Sequence, residues 1–112
     1  MYVLEAESNF ADIPYEVEKK LESALKEDDN WKAAAVVIKD WFAEETVLSS
    51  VDIREMERRG SAARDLMNKF IQLNFSIEDV QFVLTKSGLT NIVNLLITNE
   101  YLAQHKFNSN IA

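Results

Sequence analysis

The sequence predicts an all-α fold, a six-helix antiparallel bundle, and three observations carry that expectation. One proline and two glycines in 112 residues leave little to interrupt a helix. No stretch of strand length alternates apolar and polar side chains; apolar residues recur instead at spacings of three and four. The links between these periodic segments run from two to eight residues, short enough for successive helices to pack side by side. A chain of this length forms one domain, whose folding removes roughly 65% of the unfolded surface from water.

Residues 1 to 12 read as an N-terminal arm, with Tyr2, Val3, Leu4 and Phe10 as its apolar residues. Pro14 fits the first turn of helix 1, where its missing N–H leaves no hydrogen bond unmade. Val17, Leu21, Ala24 and Leu25 then share one face opposite an acidic one, and the helix is expected to end near Glu27-Asp28-Asp29. Asn30 is placed to cap helix 2. There Trp31, Ala35, Ile38 and Phe42 form one stripe, and Ala34, Val37 and Trp41 a second beside it. A helix apolar around most of its circumference belongs in the middle of a bundle.

After the link from Ala43 to Ser50, helix 3 is expected to start with Ser49 or Ser50 as cap, bury Ile53 and Met56, and stop at Gly60. Ser61 then caps helix 4, whose Ala63, Leu66, Phe70 and Leu73 share a face. Helix 5 opens on Ser76 with Asp79 three residues on, a capping box, and Phe75 and Val80 stand at the staple positions. It buries Val80, Val83 and Leu84 and ends before Gly88. Helix 6, capped by Thr90, is built on Ile92, Leu95, Leu96 and Asn99. The domain proper spans 13–104, and 105–112 reads as a frayed tail.

Composition excludes several functions. Without cysteine there is neither a disulfide nor a thiolate metal site, and the expected location is the cytoplasm. No apolar run approaches the roughly 20 residues that span a bilayer, so no direct membrane contact is expected. The one histidine, His105, lies in the expected tail, and no nucleophile motif or phosphate-cradling loop occurs. Asp28-Asp29 and Glu44-Glu45 are sequence neighbours, so on a helix they diverge by about 100° instead of converging on a metal or a reacting atom. The chain is therefore read as no enzyme, with no cofactor and no small-molecule substrate.

Charge is distributed unevenly. Residues 1–30 carry nine acidic side chains against three lysines, 31–60 six against five basic ones, and 61–112 four against four, for a formal charge of −7. Such a chain is a poor partner for nucleic acid, which demands a broad positive surface. Yet all four arginines, Arg54, Arg58, Arg59 and Arg64, fall within one eleven-residue window. Pairing of Glu55 with Arg59, and the helix 3 C-terminus itself, account for part of this cluster. Arg54 and Arg58, four residues apart, repel one another, and arginine's planar fork suits two-point pairing with carboxylates on another surface.

Several of these residues together resemble a death domain: Ile13-Pro14 ahead of an amphipathic helix, Trp31-Lys32 opening helix 2, Ile53-Arg54-x-x-Glu57, Arg59-Gly60-Ser61, and the aromatic Phe70 late in helix 4. The resemblance covers residues 13 to 102. It is strongest to the amino-terminal death domains of the Pelle and interleukin-1-receptor-associated kinases, because of the long link between helices 2 and 3 and the arginine-glycine step. It implies a death-domain fold and a homotypic interaction module, recruited into an adaptor assembly in Toll/interleukin-1-receptor-like innate immune signalling. Its partners would be other death domains, of an adaptor or a kinase, or further copies of itself. The basic half of such a joint is Arg54, Arg58, Arg59 and Arg64. The acidic half is Glu16, Glu22, Glu27, Asp28 and Asp29, and opposite patches on different faces join head to tail.

Two alternatives accompany this reading: a death domain of another system, apoptotic or mRNA-export, and a helical domain whose charges serve solubility alone. Arg58-Arg59-Gly60-Ser61 also has the form that basophilic kinases accept, although capping of helix 4 by Ser61 accounts for that serine without modification.

Overall fold

The long helices bury most of the apolar residues that their spacing announces. The computed structural model describes residues 4–42 and 48–96, and its elements are all helical. They are a 3₁₀ turn at Phe10–Asp12, α1 (Tyr15–Lys26), a second 3₁₀ turn at Glu27–Asp29, α2 (Asn30–Trp41), α3 (Ser50–Arg59), α4 (Ala62–Gln72), α5 (Ile77–Lys86) and a single turn, α6 (Thr90–Val93). Among the described residues there is no strand, and an isolated antiparallel bridge joins Asn9 to Ser76. None of these helices is long and apolar enough to cross a membrane. Asn99, the end of the domain at 104, the tail and most of the α2–α3 link lie outside the described residues.

α2 is the central element. It packs against α1, α3, α4 and α5, and Ala34, Ala35 and Ile38 are fully buried there. Small side chains let the neighbouring helices approach closely. Leu21 and Leu25 of α1, Leu66 and Phe70 of α4, and Val80, Val83 and Leu84 of α5 complete the core. Trp41, at the end of α2, remains 58% exposed.

Residues 4–12 of the arm pack on the core, whereas Tyr2 and Val3 lie outside the described residues. Phe10 is 1% exposed, and its ring meets that of Phe70 edge-on at 5.2 Å. The backbone before it runs alongside the α4–α5 corner: Phe10 N donates to Phe75 O (2.8 Å), while Ile77 N and Glu78 N donate to Ser8 O (2.9 Å) and Ala6 O (3.0 Å). Those two amides open α5 and have no partner within their own helix. The arm thus satisfies what the Ser76–Asp79 capping box leaves over; the box forms with Asp79 N donating to Ser76 Oγ at 3.1 Å and Ser76 N to Asp79 Oδ2 at 2.9 Å.

Five boundaries depart from the sequence reading, one of them the end of α6, which stops at Val93 and leaves Leu95 and Leu96 beyond it. Pro14 stands one residue before α1 and Thr90 is the first residue of α6, shifts of a single position. Asn30 does not cap α2. Asp28 (φ 52°) and Asp29 (φ 54°) both adopt left-handed backbone, which turns the chain so sharply that Asn30 already lies inside α2 and its amide donates backward to Ala24 O at 3.0 Å. Ser61 holds the cap position of α4 without capping it. Its φ and ψ (−118°, 34°) leave the extended region that caps require, and Oγ lies 3.4 Å from Asp65 Oδ2 instead.

Candidate protein-interaction surface

α3 is anchored at its start and on both flanks. The Ser49–Asp52 capping box fixes the first turn, with Asp52 N donating to Ser49 Oγ (3.2 Å) and the Ser49 backbone N to Asp52 Oδ2 (2.9 Å). The backbone hydrogen bond from Ser49, then the one from its hydroxyl, holds the Asp52 carboxyl below its usual range, with Lys69 adding attraction. Ile53 and Met56 face inward. On one flank Glu57 pairs with Lys32 of α2 at 2.9 Å, and on the other Arg59 pairs with Asp65 of α4 at 3.4 Å.

What remains is the outer face: Val51 (63% exposed), Arg54, Glu55 and Arg58. Arg58 grips Glu55 one turn back with both ends of its fork, Nε to Oε2 at 3.2 Å and Nη2 to Oε1. That hydrogen bond lowers the Glu55 carboxyl and raises the Arg58 guanidinium from their ordinary values. The partner at spacing three displaces the expected Glu55–Arg59 pair because Asp65 draws Arg59 toward α4. Arg54 has no hydrogen bond or ion pair among the described residues.

Arg64 sits elsewhere and does different work. Its Nη1 donates to Glu18 Oε1 at 2.7 Å, and its Nη2 pairs with Glu22 Oε1, so one guanidinium ties α4 to two carboxylates a turn apart on α1. The hydrogen bond it donates to Glu18 is the main reason its pKa is raised; burial opposes this and the charge of Glu22 assists. Arg64 and Glu22, expected on opposite halves of an intermolecular joint, meet within one molecule. Glu18 was not singled out from the sequence, although its four-residue spacing from Glu22 was the available signal.

The other acidic positions stay open. Glu16 is exposed in the first turn of α1, where the helix dipole favours a carboxylate. Glu27, Asp28 and Asp29 are exposed on the turn between α1 and α2 and have no cationic partner among the described residues. Two successive left-handed non-glycine residues cost on the order of 1 kcal/mol each or more. Backbone strain is thus held at the acidic corner. An open cleft of about 390 Å³ separates it from the α3–α4 corner, with Asp29 on one side, Gly60 and Ser61 on the other, and Glu22, Trp31 and Arg64 between.

A second exposed feature was only half legible. Trp41 meets Phe82 of α5 edge-on at 5.5 Å, and Lys86 Nζ lies 5.1 Å from the Trp41 ring centre and 5.7 Å from that of Phe82. The sequence placed Trp41 on the second apolar stripe of α2; Phe82 and Lys86, at spacing four on α5, carried the remaining signal. Among the described residues no cluster of three or more histidine, cysteine or carboxylate side chains is arranged to hold a metal ion. Comparison of the chain with family models, with curated proteins and with solved structures gave no match.

Proposed function

We propose that the chain is a non-enzymatic death domain, a six-helix homotypic interaction module that brings a signalling protein into an adaptor assembly of the Toll/interleukin-1-receptor type. The order of its motifs along the chain supports the family reading, and the helical architecture is compatible with it. One observation supports the binding reading most: among the described residues the Arg54 side chain on the outer face of α3 has no partner, and neither do the carboxylates of Glu27, Asp28 and Asp29 on the strained turn between α1 and α2.

The joint on this reading is smaller than the sequence implied. Arg54 and Arg58 are its basic half, with Arg59 at the edge, and Glu27, Asp28 and Asp29 its acidic half; Arg64 and Glu22 hold the subunit together. Each contact is weak, because Glu55 already offsets one arginine, and assembly depends on several copies being held close together. A charge swap tests it. Arg54→Glu/Arg58→Glu and Asp28→Lys/Asp29→Lys should each abolish concentration-dependent association, and an equimolar mixture of the two should restore it. Failure of the mixture to associate while wild type does would place the joint elsewhere.

A further inference from the structure

Three serines hold the cap position of a helix, and the structure separates one from the others. Ser49 and Ser76 are both locked in capping boxes, each hydroxyl accepting a backbone N–H. Ser61 makes no such bond. It is exposed at a corner where Gly60 adopts φ 76° and nothing lies within 4 Å of where a side chain on that glycine would begin. The two residues ahead of that glycine are Arg58, whose side chain is 72% exposed, and Arg59, at 57%. Arginines two and three positions before an accessible serine are the charge pattern that the acidic substrate groove of a basophilic kinase reads. Neither guanidinium is buried, and each is held by a single carboxylate, Glu55 or Asp65, that a kinase's own carboxylates can replace.

We propose that Ser61 is a phosphorylation site for a basophilic serine/threonine kinase. The γ-phosphoryl group of ATP passes to Oγ: an O–P bond forms to the serine, the bond to ADP breaks, and the hydroxyl proton leaves to the kinase's base. Asp65 Oδ2 lies 3.4 Å both from Ser61 Oγ and from Arg59 Nη2, so the phosphate forms next to that guanidinium. Repulsion drives the Asp65 carboxylate off, and Arg59 exchanges it for the more highly charged phosphate. Segment 58–61 then changes from two positive charges to about none. On the assembly reading above, on which this consequence rests, the modification weakens the basic half of the joint.

The full chain, incubated with ATP and the catalytic subunit of cyclic-AMP-dependent protein kinase, is examined by intact-mass and fragmentation mass spectrometry. The proposal expects one phosphoryl group at Ser61, its loss in Ser61→Ala, and slower incorporation in Arg58→Ala/Arg59→Ala. Ser61→Ala breaks no capping bond, so that variant folds and is a fair control. No incorporation, or incorporation at Ser49, Ser50 or Ser76 in its place, overturns the site. Light scattering on the modified chain then reads the consequence separately. Loss of association that the unmodified chain shows supports the switch, and undiminished association refutes it. If the unmodified chain never associates, the assembly reading fails while the site stands or falls on the mass spectra.

Discussion

Arg64 Nη1 donates to Glu18 Oε1 across 2.7 Å, and with Glu22 on the same guanidinium this is a fastening between α1 and α4 that lies far apart in sequence. The Arg64 side chain is 39% exposed, so solvent screens the interaction and its contribution is modest. Arg64→Met is expected to lower stability by about 1 kcal/mol, and a double-mutant cycle with Glu18→Gln to give a coupling of about 0.5–1 kcal/mol. Urea denaturation at low and high salt checks both, with the coupling smaller at high salt.

Phe10 makes the arm part of the fold. Removing its ring leaves a hole beside Phe70 and Phe75, whose own rings are 5.8 Å apart. Phe10→Ala should cost about 3–5 kcal/mol, a large part of the stability of a domain this size. Thermal melting reads the loss. Hydrogen exchange at Ile77 and Glu78 should quicken in parallel, because their amides are covered by the arm.

The serines at the cap positions of α4 and α5 are not equivalent. Ser76→Ala should destabilise the protein by about 1 kcal/mol, since it leaves the Asp79 amide without its acceptor. Ser61→Ala should change stability by less than about 0.5 kcal/mol. Parallel chemical denaturation of the two variants decides the matter, and equal losses would contradict the cap geometry.

Acid should weaken α3 first at its start. The Asp52 carboxyl titrates below its usual range in the folded chain, so the unfolded chain takes up the proton more readily. Its contribution is fully present above about pH 4, the unfolded value, and is lost as pH falls through the lower folded value. Asp52→Asn should therefore lower stability at neutral pH and reduce its fall on acidification below about pH 4. NMR titration of the Asp52 carboxyl carbon gives the folded value directly.

The core was legible in the sequence because helical periodicity is local. Val17, Leu21 and Leu25, the double stripe of α2, and the Ser76–Asp79 box needed no knowledge of what they would meet. The arm was not legible, because the role of Phe10 depends on Phe70 and Phe75, some sixty residues away in the chain. The same limit applied to the site. Spacing within α3 showed that the arginines were clustered, but Arg59 was taken up by Asp65 and Arg64 by Glu18 and Glu22, partners that only packing brings close. Asn30 and Ser61 misled for a subtler reason: their side chains suit caps, and the backbone at Asp28, Asp29 and Ser61 turns them elsewhere.

On the proposed function, the outer face of α3 is one half of an assembly joint. Light scattering coupled to size exclusion tests it, run across a wide concentration range at low and high salt on wild type and on Arg54→Glu/Arg58→Glu, each alone and with a death-domain adaptor. Wild type is expected to form larger species that shrink with added salt and are absent for the variant. Wild type that stays monomeric with every partner, or a variant that assembles as well as wild type, would contradict it and leave the arginines as solvated surface on a helical domain.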